Sequence, residues 1–329
     1  MRFLLPLCVG LAGPLSAEPP RVVTDIVPVQ ALVADIMGQV VTPDLLIPEG
    51  ASTHHYAMRP SEARALAAAD LVFWVGPALT PPLEDAIAKL APEAQVVVLS
   101  QEPGLVTLTP REGALFEAHD HGHEDGHGHE VEEHEHEGEE HADAEEEHEH
   151  EGEEHAEAAI DPHLWLDPDN AVIWVQAIAN TLAARDPENA ETYLSNAAAT
   201  QQRIEAAKAE VQQMLAPVRG QPFVVLHDGF HYFEAAFGIE ALAAVGDSDA
   251  ATPGAARIAT LRTALMDSGV RCAFTEPQQD ARLLKTVTEG LPVKIGVLDP
   301  LGRRGADGRY DYPDLLTNIG QSLADCLGR

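Results

Sequence analysis

Positive charge is scarce in this chain of 329 residues: 20 Lys and Arg stand against 54 Asp and Glu, a formal net charge of -34. Nucleic acid and anionic membrane surfaces are therefore poor candidate partners, because both are bound through basic patches. Long apolar runs are also missing. Beyond the first 17 residues no stretch approaches the roughly twenty apolar residues that a membrane-spanning helix needs. Cysteine is limited to three, which rules out a disulfide-dense small scaffold and a cysteine-based zinc ribbon. There is no His-Glu-x-x-His helix of the metalloprotease kind.

Residues 1–17 have the make-up of an export signal: Arg2, an apolar run from Phe3 to Leu15, and the small pair Ser16-Ala17 at the cleavage point. Cys8 lacks the small residues that precede a lipidated cysteine, so a soluble periplasmic protein is expected rather than a lipoprotein. After cleavage only Cys272 and Cys326 remain, and two thiols in an oxidising compartment point to one disulfide.

The segment Glu117–Glu157 holds eleven His and twenty Asp or Glu with no Lys or Arg. A unit of thirteen residues occurs twice in it, Glu132–Ala144 and Glu146–Ala158, differing only where Asp143 aligns with Glu157. Such a composition cannot bury enough apolar surface to offset ordering, so a mobile His- and acid-rich loop over 117–158 is expected. Imidazole and carboxylate are both ligands for borderline divalent metals. His119, His121, His123, His127, His129, His134, His136, His141, His148, His150 and His155 are thus candidate auxiliary metal ligands. Removing the twenty acids of this segment leaves 34 acidic against 20 basic residues, or -14, so the rest of the protein is acidic as well.

Either side of that segment, short β-branched runs alternate with amphipathic stretches. Strands are expected at 22–27, 41–46, 71–75, 96–99, 223–226, 239–245, 270–274 and 293–298. Helices are expected at 29–37, 61–69, 83–90, 170–184, 232–237, 253–266, 281–289 and 313–326, with Thr252 as N-cap of the sixth. This is an α/β pattern: two lobes, each with a four-stranded parallel sheet flanked by helices. Between them 186–216 contains a Gly- and Pro-free run of about 29 residues opened by Asp186 as N-cap and Pro187, which at 1.5 Å per residue makes a rod of about 43 Å joining the lobes. The expected organisation is a signal at 1–17, a first lobe at 18–185, the connecting helix at 186–216 and a second lobe at 217–329. A ligand belongs in the cleft, at the carboxyl ends of the strands.

Only five His lie outside the loop: His54, His55, His163, His227 and His231. His54 and His55 follow the second strand, His163 a loop after the fourth, and His227 the fifth, so both lobes send imidazole to the cleft. Three converging imidazoles suit zinc in four-coordinate geometry. Asp228 and Asp167 are candidate acceptors for imidazole N–H groups. His231, four residues after His227, and His55 are weaker candidates. Trp165 and Trp174 are expected in the core or at an interface.

The ordered motifs Gly50-Ala51-Ser52-Thr53-His54-His55-Tyr56, Asp161-Pro162-His163-Leu164-Trp165-Leu166-Asp167-Pro168, Val225-Leu226-His227-Asp228-Gly229-Phe230-His231, Thr275-Glu276-Pro277-Gln278 and Leu298-Asp299-Pro300-Leu301-Gly302 span the mature chain. Together they resemble the metal-binding solute receptors of bacterial ABC importers, in their zinc-uptake (ZnuA-type) branch. The resemblance implies two α/β lobes joined by a long helix, and His54, His163 and His227 as zinc ligands. It also implies the Cys272–Cys326 disulfide, which would close a loop of about 55 residues and stabilise by between about 3 and 4.7 kcal/mol. Manganese-binding relatives place a carboxylate where His227 stands, and imidazole there favours zinc. Thr53 departs from relatives that carry an acid before the first ligand. The fourth position is left to Asp299, which matches a carboxylate ligand of manganese relatives, or to water.

The function implied is a monomeric periplasmic receptor that captures Zn2+ in the cleft and hands it to a membrane permease, with a periplasmic zinc metallochaperone as a possible further partner. A zinc store built on the His-rich loop is the alternative. A zinc enzyme is a third possibility, disfavoured because no second group is placed as a general base.

Overall fold

In the computed structural model, residues 18–54, 56–113, 115–116, 160–246 and 254–328 are described. The expected export signal, the His-rich segment 117–158, His55 and Thr252 lie outside the described residues.

The first sheet is built from β1 (Val22–Thr24), β2 (Asp44–Leu45), β3 (Leu71–Trp74) and β4 (Gln95–Val98), all parallel, in the order β2-β1-β3-β4. The second repeats the plan with β5 (Phe223–Val225), β6 (Ala241–Ala244), β7 (Cys272–Thr275) and β8 (Lys294–Val297) in the order β6-β5-β7-β8. Central strands read as unbroken apolar runs because helices cover both faces. β1 and β3 are buried at every residue, whereas the edge strands β4 and β8 expose Val96, Ile295 and Val297. In β5 the two faces separate by the strand period of two. Phe223 and Val225 join the large core, and Val224 joins a smaller one with Ala243, Leu261, Leu265 and Ala273.

The helices are α1 (Val27–Met37), α2 (Pro60–Ala67), α3 (Pro81–Leu90), α4 (Pro168–Arg185), α5 (Ala190–Leu215), α6 (His231–Phe237), α7 (Ala255–Ser268), α8 (Arg282–Thr288) and α9 (Tyr312–Leu327). The first four expected helices gain a residue or more at the start because proline is accepted in a first turn, where its missing N–H costs nothing. Pro28, Pro60, Pro81 and Pro168 all sit there.

The connecting helix differs from expectation at its start. It begins with a 3-10 turn at Pro187–Asn189, and Asp186 does not cap it: its carboxylate accepts from Asn189 Nδ2 at 2.8 Å and Tyr193 OH at 2.7 Å. As expected, α5 joins the two lobes, and it is packed along its length. Tyr193, Ala197, Thr200, Ile204, Ala207, Val211 and Leu215 form a buried stripe at helical spacing, packed on α1, α4 and α9. At 1.5 Å per residue α5 spans about 39 Å, and one apolar core runs continuously from Val22 in the first lobe to Leu327 in the second. Polar ties reinforce it: Asn196 Nδ2 donates to Ile36 O, and Arg203 bridges Asp35 of α1 to Asp311 at the start of α9.

A strap formed by residues 105–113 and 115–116 crosses between the lobes. Val106 exchanges hydrogen bonds with the Asn170 side chain, Leu108 N donates to Tyr232 OH, and Ala244 N, at the end of β6, donates to Leu115 O. Arg111 on the strap makes ion pairs with Asp228 and Glu234 and lies over the Phe116 ring, 4.2 Å from its centroid. Cys272 and Cys326 are joined, which ties β7 to α9.

Candidate metal centre

Three histidines meet where the carboxyl ends of the two sheets face each other. The chain leaving β2 stays bonded to the end of β1 through Leu46 N to Thr24 O and Ile47 N to Asp25 O, both 2.9 Å. It then turns at Pro48–Ala51 to bring the buried Thr53 and the half-buried His54 over the cleft. His163 precedes a 3-10 turn, Leu164–Leu166, and is 1% exposed. Its peptide N–H donates to Asp161 Oδ1 at 3.0 Å, so backbone and ring are fixed by one carboxylate. His227 lies two residues beyond β5 and is 3% exposed. Its ring sits on Gly229, where an added Cβ would come within 2.3 Å of Cε1, so only glycine admits the ring in this position.

Ring centroids are 5.5 Å apart for His54 and His163, 5.7 Å for His54 and His227, and 4.9 Å for His163 and His227. One nitrogen from each ring lies within 4.8 Å of the other two. His163 Nε2 and His227 Nε2 are 3.2 Å apart. That separation matches the edge of a tetrahedron with zinc–nitrogen bonds of about 2.0–2.1 Å, which is about 3.3 Å.

Carboxylates set which nitrogen faces inward. His163 Nδ1 is 2.7 Å from Asp161 Oδ1, and His227 Nδ1 is 3.0 Å from Glu276 Oε1. A carboxylate can only accept, so each holds a proton on Nδ1 and turns the Nε2 lone pair to the shared space. Burial pushes the Asp161 carboxyl up, but the positive field of His163 and the hydrogen bonds from His163, with the His231 ring nearby, outweigh it and hold Asp161 far below the usual carboxylate range. A cation on His163 Nε2 sustains the same field. The donor set therefore fits a borderline divalent metal.

Comparison with known proteins gives the same direction. The family described as "Zinc-uptake complex component A periplasmic" matches residues 22–326. The chain belongs to this zinc-uptake component family. Among relatives named "High-affinity zinc uptake system protein ZnuA", that of Paracoccus denitrificans is 43% identical, covering 99% of this chain and 98% of its own. That of Brucella suis biovar 1 is 41% identical, covering 99% and 96%. In fold the chain resembles the periplasmic zinc binding protein TroA from Treponema pallidum, with a TM-score of 0.73 at 20% identity over 94% of this chain and 99% of that one.

The other expected residues of this family member fall elsewhere. Asp299 is outside the three-His group: its Oδ1 accepts from Gln278 Nε2 at 2.8 Å, Leu301 N at 3.2 Å and Gly302 N at 3.1 Å. Asp228 does not serve an imidazole but pairs with Arg111, and Asp167 caps α4 by accepting from Asp169 N. His231 opens α6 and reaches Asp161 Oδ2 at 3.7 Å with its side chain 22% exposed. His227 precedes that helix, so the spacing of four does not place the two on one face. Trp165 and Trp174 are buried, their Nε1 groups donating to Pro300 O and Leu99 O. His55 and the eleven loop imidazoles lie outside the described residues.

Asp161 and Glu276 are the functional residues that sequence reasoning passed over. Both stand in the quoted motifs as an acid followed directly by proline at the edge of the cleft, a signal that could have drawn attention to them.

Proposed function

We propose that this chain is the receptor of a zinc importer: it holds Zn2+ between its lobes through His54, His163 and His227 and delivers it to a membrane permease. The observation that carries this reading is the paired Nε2 atoms 3.2 Å apart, each backed on Nδ1 by a buried carboxylate. Zinc supplies the charge that two inward lone pairs at that distance require. Both lobes contribute ligands, so binding and release are coupled to how the lobes meet, as delivery to a partner demands. The position is periplasmic, reached by export through residues 1–17. No helix among the described residues is long and apolar enough to cross a membrane.

The His-rich segment serves capture. Its flanking residues are anchored beside the metal centre: Arg111 and Phe116 pack at Asp228, next to His227, and Asp161, bonded to His163, follows its other end. A tether fixed at both sides of the cleft raises the local metal concentration there without supplying a ligand to the tight site. Titration of the metal-free protein with zinc should show one tight equivalent followed by weaker ones, with the tight equivalent lost in His54→Ala, His163→Ala and His227→Ala. Only weak, similar sites in the unaltered protein would favour storage instead.

A further inference from the structure

The metal centre presents three imidazoles, and a four-coordinate zinc needs one more donor. We propose that the side-chain oxygen of Gln278 faces that fourth position, directly or through one bound water, and that Asp299 is a positioning residue that holds Gln278 there. The proposal rests on the zinc reading above.

Gln278 and Asp299 are distinguished by where they sit. A small cavity of about 20 Å³ is lined by His54, His163 and His227 together with Thr53, Glu276 and Gln278, and Asp299 does not line it. A single water needs about 10–15 Å³ of such space, so the cavity admits one water-sized particle beside the rings. Asp299 is already engaged: one oxygen takes the amide of Gln278 and two peptide N–H groups of the Leu301-Gly302 turn.

The same hydrogen bond fixes the amide of Gln278. A carboxylate has no proton to give, so the end of Gln278 that meets Asp299 is the NH2 group, and the carbonyl oxygen is forced to the other side. That oxygen, Oε1, is buried and accepts no hydrogen bond among the described residues. A buried amide oxygen without a donor is costly to leave, and a cation or its bound water removes the cost. Glu276, two residues earlier in the same turn, backs His227, so one short segment after β7 orients a ligand and offers a donor.

The consequence concerns selectivity. A neutral amide oxygen leaves the donor set uncharged, which suits a metal bound chiefly by imidazole. Manganese, which favours carboxylate oxygen, is disfavoured.

The test uses metal-free full-length protein, zinc and manganese titrations, and the d–d absorption of the cobalt(II) form. Gln278→Leu should weaken zinc about 10-fold and shift the cobalt bands while the melting temperature of the metal-free protein stays unchanged. Gln278→Glu should improve manganese binding about 10-fold more than zinc binding. Asp299→Ala should match Gln278→Leu and add nothing to it in the double variant. Asp299→Asn keeps an acceptor oxygen and should stay within about 3-fold of the unaltered protein. The proposal is overturned if Gln278→Leu leaves zinc affinity and the cobalt bands untouched, or if Asp299→Asn costs as much as loss of a His ligand. Absence of any tight zinc in the unaltered protein would instead sink the zinc reading itself.

Discussion

Each lobe bridges its two central strands with a buried carboxylate, and the two are used differently. In the first lobe Asp25, just beyond β1, spans to β3: Oδ1 accepts from Ile26 N at 2.8 Å and Oδ2 from Val75 N at 2.9 Å. In the second, Glu276, just beyond β7, spans to the β5 side, where it accepts from His227 Nδ1 at 3.0 Å. β1 and β5 hold equivalent places in their sheets, as do β3 and β7. One acid closes on backbone N–H groups and fastens the sheet. The other closes on an imidazole whose second nitrogen points to the cleft. A carboxylate bonded to peptide groups has no second atom to lend, whereas one bonded to imidazole orients and enriches a ligand. Topology thus supplies the position, and the partner decides between structure and chemistry.

The sharpest way to break this comparison is to remove the imidazole. His227→Ala should lower zinc affinity by more than about 100-fold, beyond what loss of an outer partner costs. Asp25→Asn, in the carboxylate that bridges the central strands of the other lobe, should leave zinc affinity within about 3-fold when both are measured by competition with a chelator of known affinity. A large zinc effect at Asp25 would show the lobes are not divided in this way. Next in size, Glu276→Gln should weaken zinc by between about 10- and 100-fold, because an amide can present its NH2 to Nδ1 and favour the wrong tautomer. Gly229→Ala should follow at about 10-fold, since a Cβ there displaces the His227 ring. Nuclear magnetic resonance of the imidazole nitrogens would show whether the ring has moved.

A separate effect is on stability rather than binding. Burial pushes Asp25 up from its ordinary 3.8 to about 7, against the lowering pull of hydrogen bonds from Val75 and Ile26. A carboxyl whose folded pKa is raised stabilises the fold when protonated. That contribution is complete below about 3.8 and fades as pH rises through about 7. Metal-free protein should therefore lose about 3 kcal/mol of unfolding free energy between pH 5 and pH 8 through this group. In Asp25→Asn the decline should flatten by that amount, as measured by urea titration at the two pH values. An unchanged slope would remove Asp25 from the account.

Much of this was legible in the sequence, for definite reasons. Val22–Thr24, Leu71–Trp74 and Phe223–Val225 are buried at every position and apolar but for Thr24, which is how a strand covered on both faces must read. His54, His163 and His227 come after β2, β4 and β5 in the chain, so the parallel plan sends them to one side. The supporting carboxylates were not legible, because they depend on which way a ring turns. Asp228 adjoins His227 in the chain, yet its side chain is taken by Arg111 from the crossing strap, a contact between residues 117 apart in sequence. Asp186 reads as a helix cap, but Tyr193 OH and Asn189 compete for its oxygens. The fourth donor was equally hidden. Asp299 carries the charge, whereas only the hydrogen bond from Gln278 reveals which of the two is left with an acceptor to offer.

The central claim is that the folded lobes alone make the tight site, with three imidazoles. It is tested most directly by zinc K-edge absorption fine structure on protein lacking Glu117–Glu157 and loaded with one equivalent of zinc. The account predicts tight retention of that zinc, with three imidazole nitrogens and one oxygen at about 2.0–2.1 Å. Loss of the tight zinc on deletion, or a shell with fewer than three imidazoles, would contradict it.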